Sequence, residues 1–535
     1  MAKHSLVAEP GFTLSLHPYL GILAVLLGGT ISVLDIRLLS LGLADIRGAL
    51  GLSIDEAAWI PAAYNMSLMF IGPFSVYLGG ILGVRRVLLC ACVIYSVSSF
   101  LIPFVSSYSA MIALQVVAGL SSGTFYPLTL SFILLSLPLT LAHFGLAAYS
   151  IAILFGLNFG SSLDAWLMNI ISWHGIFWSS SVIALLIFIC VYFGVPKQPL
   201  PKGKKMPSWR GFFYWSLGLA LLYGAIDQGS RLNWFDSGIF AGLLASSIFL
   251  ILTAFVRRLV DPNPAVSIAY LLRRNILILG AVLFVFRISI LTSTLLIPQY
   301  LQNVAGLKDE QIGPVLSIIA LLQLGLGWAS GLLIRSVNSL LLLSVGLATS
   351  AVGAFFCAKL TTEWTASSFI PFTVLFAFGQ SFALVGLVGS IVLELVGTGA
   401  VSREGKASRP FDVLTFSGFF HTVRLMGGEV GTVLLVHLIT DRTKYHFNIL
   451  AQQTSPARPA VGHAVAQASS LFLHSSTDRT QIIAQTGSLL GSDVGQQAYS
   501  LAISDGFLFV TIFSGLILLA VALVRLPLTR FEEVA

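Results

Sequence analysis

Charge is scarce in this 535-residue sequence: Asp, Glu, Lys and Arg make up 10% of it, against 56% hydrophobic residues. A water-soluble domain carries about 25% charged residues, so a soluble fold is excluded. Cysteine is nearly absent as well. The four present, Cys90, Cys92, Cys190 and Cys357, fall inside apolar stretches without metal-ligand spacing, and they read as packing residues rather than a metal site. No H-E-x-x-H, Walker loop or glycine-rich dinucleotide fingerprint occurs. Gly119-Leu120-Ser121-Ser122-Gly123 matches a hydrolase nucleophile pattern, yet it lies in an apolar helix with no strand before it. No enzyme activity, metal or cofactor is therefore expected, and driving energy must come from an ion gradient or another subunit.

What the sequence has in abundance is apolar stretches, fourteen of them. They run over 20–43, 57–82, 87–105, 109–136, 141–167, 175–195, 211–226, 238–256, 275–300, 311–334, 339–358, 367–393, 411–438 and 503–525. A hydrocarbon core about 30 Å thick needs roughly 20 apolar residues per helix, and nearly all of these stretches reach that length. Lipid offers no partner to an exposed peptide group, and the runs do not alternate as barrel strands would. The sequence predicts an all-α polytopic membrane protein with 14 transmembrane helices. The first stretch is too long for a signal peptide and no small-x-small cleavage site follows it.

Lys and Arg set the orientation, because they stay on the cytoplasmic side of short loops. With Met1 cytoplasmic, the inner segments hold 18 of them and the short outer loops hold four: Arg47, Arg231, Lys308 and Lys359. Both termini are thus expected in the cytoplasm of a cell whose inner (cytoplasmic) membrane holds the protein. The net charge of +7 is this topology signal spread over loops, and no nucleic-acid partner is expected. Two connections stand out. Pro196 to Arg210 is rich in Pro and Lys and reads as a linker. Asp441 to Ala502 is polar and too long for a simple turn; within it, 461–473 and 481–501 are expected to form short helices on the outer surface.

Five ionisable residues sit within apolar stretches: Asp35, Arg37, Arg287, Arg424 and Glu429. A charge at mid-membrane costs about 2.5 to 3.5 kcal/mol on insertion scales, so each should face a protein interior or a wet cavity. Asp164 and Asp412 lie near stretch ends and read as interfacial. Asp35 and Arg37 are two residues apart, about 200° around a helix, and cannot share a face. Arg424 and Glu429 also diverge, whereas His421 and Arg424 share a face. Each carboxylate should therefore find its partner on another helix, as a mobile proton site or as an ion pair that only locks helices. Small residues four apart, Gly119 with Gly123, Gly156 with Gly160, Gly327 with Gly331, and Gly427 with Gly431, point to close helix packing.

Several motifs in order resemble the fourteen-helix drug:proton antiporter branch of the major facilitator superfamily, of the multidrug efflux type. Leu34-Asp35, Ala44-Asp45-Ile46, Leu50-Gly51 and Trp59 are similar to its pattern from the first helix into the second. Asp227-Gln228-Gly229 followed by Asn233-Trp234-Phe235-Asp236-Ser237 is similar to its signature between the two extra central helices. Pro262-Asn263-Pro264, Pro298-Gln299-Tyr300-Leu301-Gln302, Arg424 with Gly427-Gly428 and Gly431, and Gln497-Ala498 with Asp505 and Phe507 complete the resemblance. There are departures. The loop motif keeps Gly83, Arg85 and Arg86 as gating-loop candidates but has Gly80 at the usual aspartate. Gln115 stands at the usual arginine, and the antiporter motif reads Gly156-Leu157 with Asn158 and Gly160.

The resemblance implies a major facilitator fold, with two six-helix bundles, at 1–195 and 275–535, and two inserted helices with their linker at 196–274. The bundles would rock about a central cavity. It implies Asp35 and Glu429 as proton-coupling candidates and Arg37, Gln115, Tyr126, Arg287, Gln299, Gln380 and Arg424 as substrate-cavity candidates. The function expected is proton-coupled export of small amphipathic compounds, drugs or organic acids, across the membrane. Import of an organic acid or nutrient is the alternative, and a membrane-embedded enzyme or sensor subunit a remote one. The partners implied are a small-molecule substrate, the lipid bilayer and, as in some relatives, a periplasmic adaptor protein and an outer-membrane channel.

Overall fold

The structure, a computed structural model, describes residues 18–137, 139–197, 209–260, 271–399, 410–454, 458–472, 479–526 and 530–531. Most of the Pro196 to Arg210 linker, Pro262-Asn263-Pro264 and the basic residues from Arg403 to Arg409 lie outside the described residues, as does the side chain of Asp412. Among the described residues there is no strand, and thirteen helices are long and apolar enough to cross a membrane.

The first four spans are Pro18–Leu41, Ile54–Leu82, Val84–Leu101, and a broken pair, Tyr108–Ser122 and Phe125–Ser136. Spans 5 and 6 are Leu139–Ile170 and His174–Gly194. Span 7, Trp209–Gly229, falls short of the thirteen in apolarity and not in length, and span 8 is Gly238–Val260. Span 9 runs from Arg274–Leu291 through a π-helical turn, Thr292–Leu296, into Ile297–Asn303. Spans 10 to 14 are Asp309–Leu333, Ser339–Cys357, Ile370–Gly397, Pro410–Gln452 and Arg479–Val521.

Local sequence explains the irregular places. Ser53 and Glu56 form a reciprocal cap that opens span 2: the Glu56 N–H donates to Ser53 Oγ at 3.2 Å and the Ser53 N–H donates to Glu56 Oε2 at 2.9 Å. Pro127 has no N–H to give the carbonyl of Gly123, and span 4 breaks at Gly123 and Thr124. Pro298 likewise leaves the Thr294 carbonyl without its helical donor, and there span 9 takes up its π turn.

Spans 1 to 6 pack together, spans 9 to 14 pack together, and the two sets meet where span 5 lies along span 10 and span 2 along span 13. Span 7 lies against spans 2 and 13 and carries span 8, whose Phe249, Leu252 and Leu259 face outward. The four small-residue pairs sit at such contacts. Gly119 and Gly123 receive span 2, Gly156 and Gly160 receive span 1, Gly427 and Gly431 receive span 9, and Gly327 and Gly331 bring span 10 onto Ile151 and Ala147 of span 5.

Spans 11 and 12 use the same device at positions the spacing-four pattern does not reveal. A Cβ on Gly386 would lie 2.5 Å from the Leu343 nitrogen and 2.8 Å from the Ser339 carbonyl oxygen, both backbone atoms that cannot swing aside. Gly386→Ala should therefore cost about 1 to 3 kcal/mol despite alanine's better helix propensity. Gly515→Ala, whose Cβ would meet nothing within 4 Å, should be neutral or stabilising. Thermal unfolding in detergent checks the contrast, and equal midpoints for the two variants would refute it.

The segment 441–502 differs from expectation. Span 13 continues as helix to Gln452, and Pro459–Phe472 forms the short helix expected at 461–473. The second short helix is instead the first half of a single helix, Arg479–Val521, which carries on into span 14. Asp505 Oδ2 accepts from Arg442 Nε and from His446 Nε2, each at 2.8 Å, and so binds the two long helices where they leave the apolar zone.

Candidate functional site

Asp35 turns away from the second helix set. Its Oδ1 accepts from Ser180 Oγ of span 6 at 2.6 Å and its Oδ2 accepts from the Tyr95 hydroxyl of span 3. The carboxyl edges a cavity of about 10 Å³, the scale of one water molecule, which Tyr64, Ser99, Gln115 and Phe177 also line. Tyr64 donates onward to Ser122 Oγ at 2.8 Å. Gln115, expected in the central cavity, belongs instead to this chamber, because span 4 presents it to spans 1 and 3 rather than to the second set.

Arg37 points the opposite way, as its two-residue offset from Asp35 requires. It crosses to the other helix set and donates from Nη2 to the Thr294 carbonyl at 3.0 Å, the carbonyl that Pro298 leaves without its helical donor. Gly160 makes room for it: a Cβ there would stand 2.8 Å from Arg37 Cβ. Asp164 is within electrostatic reach of Arg37 and is buried, not interfacial as its position near the end of a stretch suggested.

Midway through the molecule the two sets are joined by amides. Gln323 Nε2 donates to Gln380 Oε1 at 2.9 Å, Asn158 Nδ2 donates to Gln323 Oε1 at 3.1 Å, and Gln380 Nε2 donates to Ser293 Oγ at 3.2 Å. Beside them Arg424 lies over the Tyr126 ring at 3.8 Å, and Tyr126 packs on Tyr149 at 4.8 Å. Arg287 Nε donates to the Arg424 carbonyl at 3.1 Å, and its guanidinium rests on Gly428, where a Cβ would come within 2.7 Å of Nη2. His421, on the same face as Arg424, sets Nε2 3.3 Å from the Leu68 carbonyl oxygen. The wide vestibule that the resemblance implies is closed at this level. Tyr126, Asn158, Gln323, Gln380 and Arg424 are each at most 1% exposed, so this conformation is occluded.

Glu429 sits elsewhere, toward the inserted helices. Its Oε2 accepts from the Tyr223 hydroxyl at 2.6 Å, and Asp227 of span 7 is its acidic neighbour. Asp227 accepts from Gln228 Nε2 at 2.6 Å, Gln228 accepts from Arg231 Nε at 2.7 Å, and Arg231 Nη1 reaches Asp55 Oδ1 at 2.6 Å. Left-handed backbone at Asn233 and Trp234 folds the Trp234 ring onto Gly229, which is why that motif needs Asn and Gly.

Asp35 and Glu429 do find partners on other helices, but these are hydroxyls rather than arginines. Gln299 is peripheral, accepting from the Tyr499 hydroxyl at 3.3 Å, because the π turn rotates the end of span 9 toward span 14. Gly83 adopts φ +84°, and Arg85 donates to the Tyr192 carbonyl at 2.7 Å while Arg86 turns back on Leu82, so both arginines act within the first helix set. Sequence reasoning missed Gln323 and Ser293 as site residues. A lone polar residue in an apolar stretch was the only signal, and it does not distinguish a satisfied core residue from a lining one.

Comparison with known proteins adds the following. A family model described as Major Facilitator Superfamily matches residues 25–432. The chain is 24% identical over 506 residues to the uncharacterized MFS-type transporter YhcA of Bacillus subtilis, covering 93% of this chain and 92% of the relative. It is 23% identical over 492 residues to the multidrug export protein EmrB of Haemophilus influenzae, covering 91% of each chain. Among solved structures, the proton:xylose symporter XylE bound to 6-bromo-6-deoxy-D-glucose superposes with a TM-score of 0.55 at 12% identity, covering 97% of this chain and 98% of that one.

Proposed function

The chain belongs to the Major Facilitator Superfamily and is a membrane transporter, not an enzyme; from that premise we propose that it is a proton-driven exporter of small amphipathic compounds. The observation that carries this reading is a plane of polar side chains, buried Asn158, Arg287, Gln323, Gln380 and Arg424 with half-buried Arg37 beside them, lying where two six-helix sets meet. Helix sets that rock apart at one end and then the other would expose that plane to each compartment in turn.

Asp35 is the principal proton carrier in this proposal. Its carboxyl hangs on two hydroxyls that can serve as donors or acceptors, beside room for one water, so a proton can arrive or leave without breaking an ion pair. Glu429 is the second candidate, coupled through Tyr223 to the inserted helices. Arg37, Tyr126, Arg287, Gln380 and Arg424 line the cargo site, Gln115 serves the proton chamber, and Gly83, Arg85 and Arg86 brace the connection between spans 2 and 3. The excess of Lys and Arg in alternate loops supports both termini facing the cytoplasm from the inner membrane. The long helices beyond Leu438, with Pro459–Phe472 beside them, then project outside, where a periplasmic adaptor leading to an outer-membrane channel could dock.

Everted membrane vesicles test direction and driving force together. With an acidified interior they should accumulate a fluorescent dye or a labelled organic acid, and an uncoupler should release it. Accumulation only in right-side-out vesicles under an inward proton gradient would establish import instead.

A further inference from the structure

Two guanidinium groups meet in the centre of this molecule with no acid between them. Arg424 is 1% exposed and Arg287 is 9% exposed, and the bond from Arg287 Nε to the Arg424 carbonyl holds them side by side. Among the described residues neither forms a salt bridge, and Arg424 Nε, Arg424 Nη2 and Arg287 Nη1 have no hydrogen-bond partner. The buried acids named above are engaged elsewhere, Asp35 by Tyr95 and Ser180, Glu429 by Tyr223, and Asp164 within electrostatic reach of Arg37.

Like charges in a low-dielectric interior repel strongly, and buried N–H groups without acceptors are costly, so the pair calls for an anion. The surroundings suit one. The Tyr126 and Tyr149 hydroxyls are also buried and unpartnered, and both can donate. The rings of Tyr126, Tyr149 and Phe420 form an apolar wall beside these donors, with Tyr149 and Phe420 6.0 Å apart. A guanidinium fork matches the two oxygens of a carboxylate, and the aromatic wall matches a ring or alkyl body.

We propose that Arg287 and Arg424 form the anion-binding subsite of the cargo pocket, and that the cargo is an amphipathic carboxylate. This rests on the transporter reading above and sharpens it to a charge class. Gly428 is then part of the recognition apparatus, since any side chain there would displace the Arg287 guanidinium.

The test is equilibrium binding to the purified full-length protein in nanodiscs, without any proton gradient, using three probes of one shape: 1-naphthoate, 1-naphthalenemethanol and 1-naphthylmethylammonium. Naphthoate should bind at least about tenfold more tightly than the neutral and cationic probes. Arg287→Gln and Arg424→Gln should each weaken naphthoate by at least about tenfold and leave the alcohol within about twofold. Should neither glutamine variant fold, the charge preference of the native protein decides alone. Equal or tighter binding of the alcohol or the ammonium probe would assign these N–H groups to buried water only and overturn the proposal. Unchanged naphthoate affinity in both variants would do the same. Because no gradient is applied, loss of proton-driven export in vesicles leaves this outcome untouched, so the two failures are separable.

Discussion

Asp35→Asn is expected to lower gradient-driven transport at least about tenfold, a barrier change of about 1.4 kcal/mol or more, while leaving the protein folded. Asparagine keeps the shape of aspartate and one of its acceptor oxygens, so the Ser180 hydroxyl at 2.6 Å retains its partner, and the Tyr95 hydroxyl can rotate to accept from the new amide. What disappears is the exchangeable proton. Exchange of labelled for unlabelled cargo across vesicles with no pH difference does not require net proton movement, and it should persist in the variant. Ser180→Ala and Tyr95→Phe remove one hydroxyl each and should weaken coupling less than Asp35→Asn does. If Asp35→Asn still accumulates cargo in an uncoupler-sensitive manner, Asp35 is a packing residue and the coupled proton lies elsewhere, with Glu429→Gln the next variant to assay.

The membrane fold was legible because lipid leaves few choices: apolar runs of about 20 residues must be helices. Helix angles were legible too, and they separated Asp35 from Arg37 correctly. Partners were not. Tyr95 and Ser180 stand 60 and 145 residues from Asp35, and tyrosine and serine are too common in such helices to single out. One contact is implicit in local sequence: Pro298 strips the donor from the Thr294 carbonyl, which makes that atom a natural acceptor for a cation such as Arg37. The helix ends at 452 and 479 were hidden for a different reason. Hydropathy reports where the chain leaves lipid, whereas a helix can continue into water on its own hydrogen bonds, as Gln481 to Leu501 does.

A disulfide between Ser162→Cys and Ser317→Cys should stop transport, by at least about tenfold, and reduction should restore it. Ser162 on span 5 and Ser317 on span 10 place their hydroxyl oxygens 2.5 Å apart, and Ser162 also donates to the Gly313 carbonyl at 2.5 Å, so two cysteines there fall within bonding reach. The pair joins the first helix set to the second near the C-terminal end of span 5 and the N-terminal end of span 10. Rocking must part these serines to open that end, and a covalent tie forbids it. Ser96→Cys with Ser181→Cys is the matched control. Those hydroxyls are 3.0 Å apart on spans 3 and 6, within one set, and a bond between them should leave transport intact. Both pairs belong in a background lacking Cys90, Cys92, Cys190 and Cys357, so that only the designed bond forms. Rigid-body motion predicts arrest for the first pair alone. Arrest by both would mean that the first set flexes internally during transport, and arrest by neither would mean that cargo crosses without the two sets separating at spans 5 and 10.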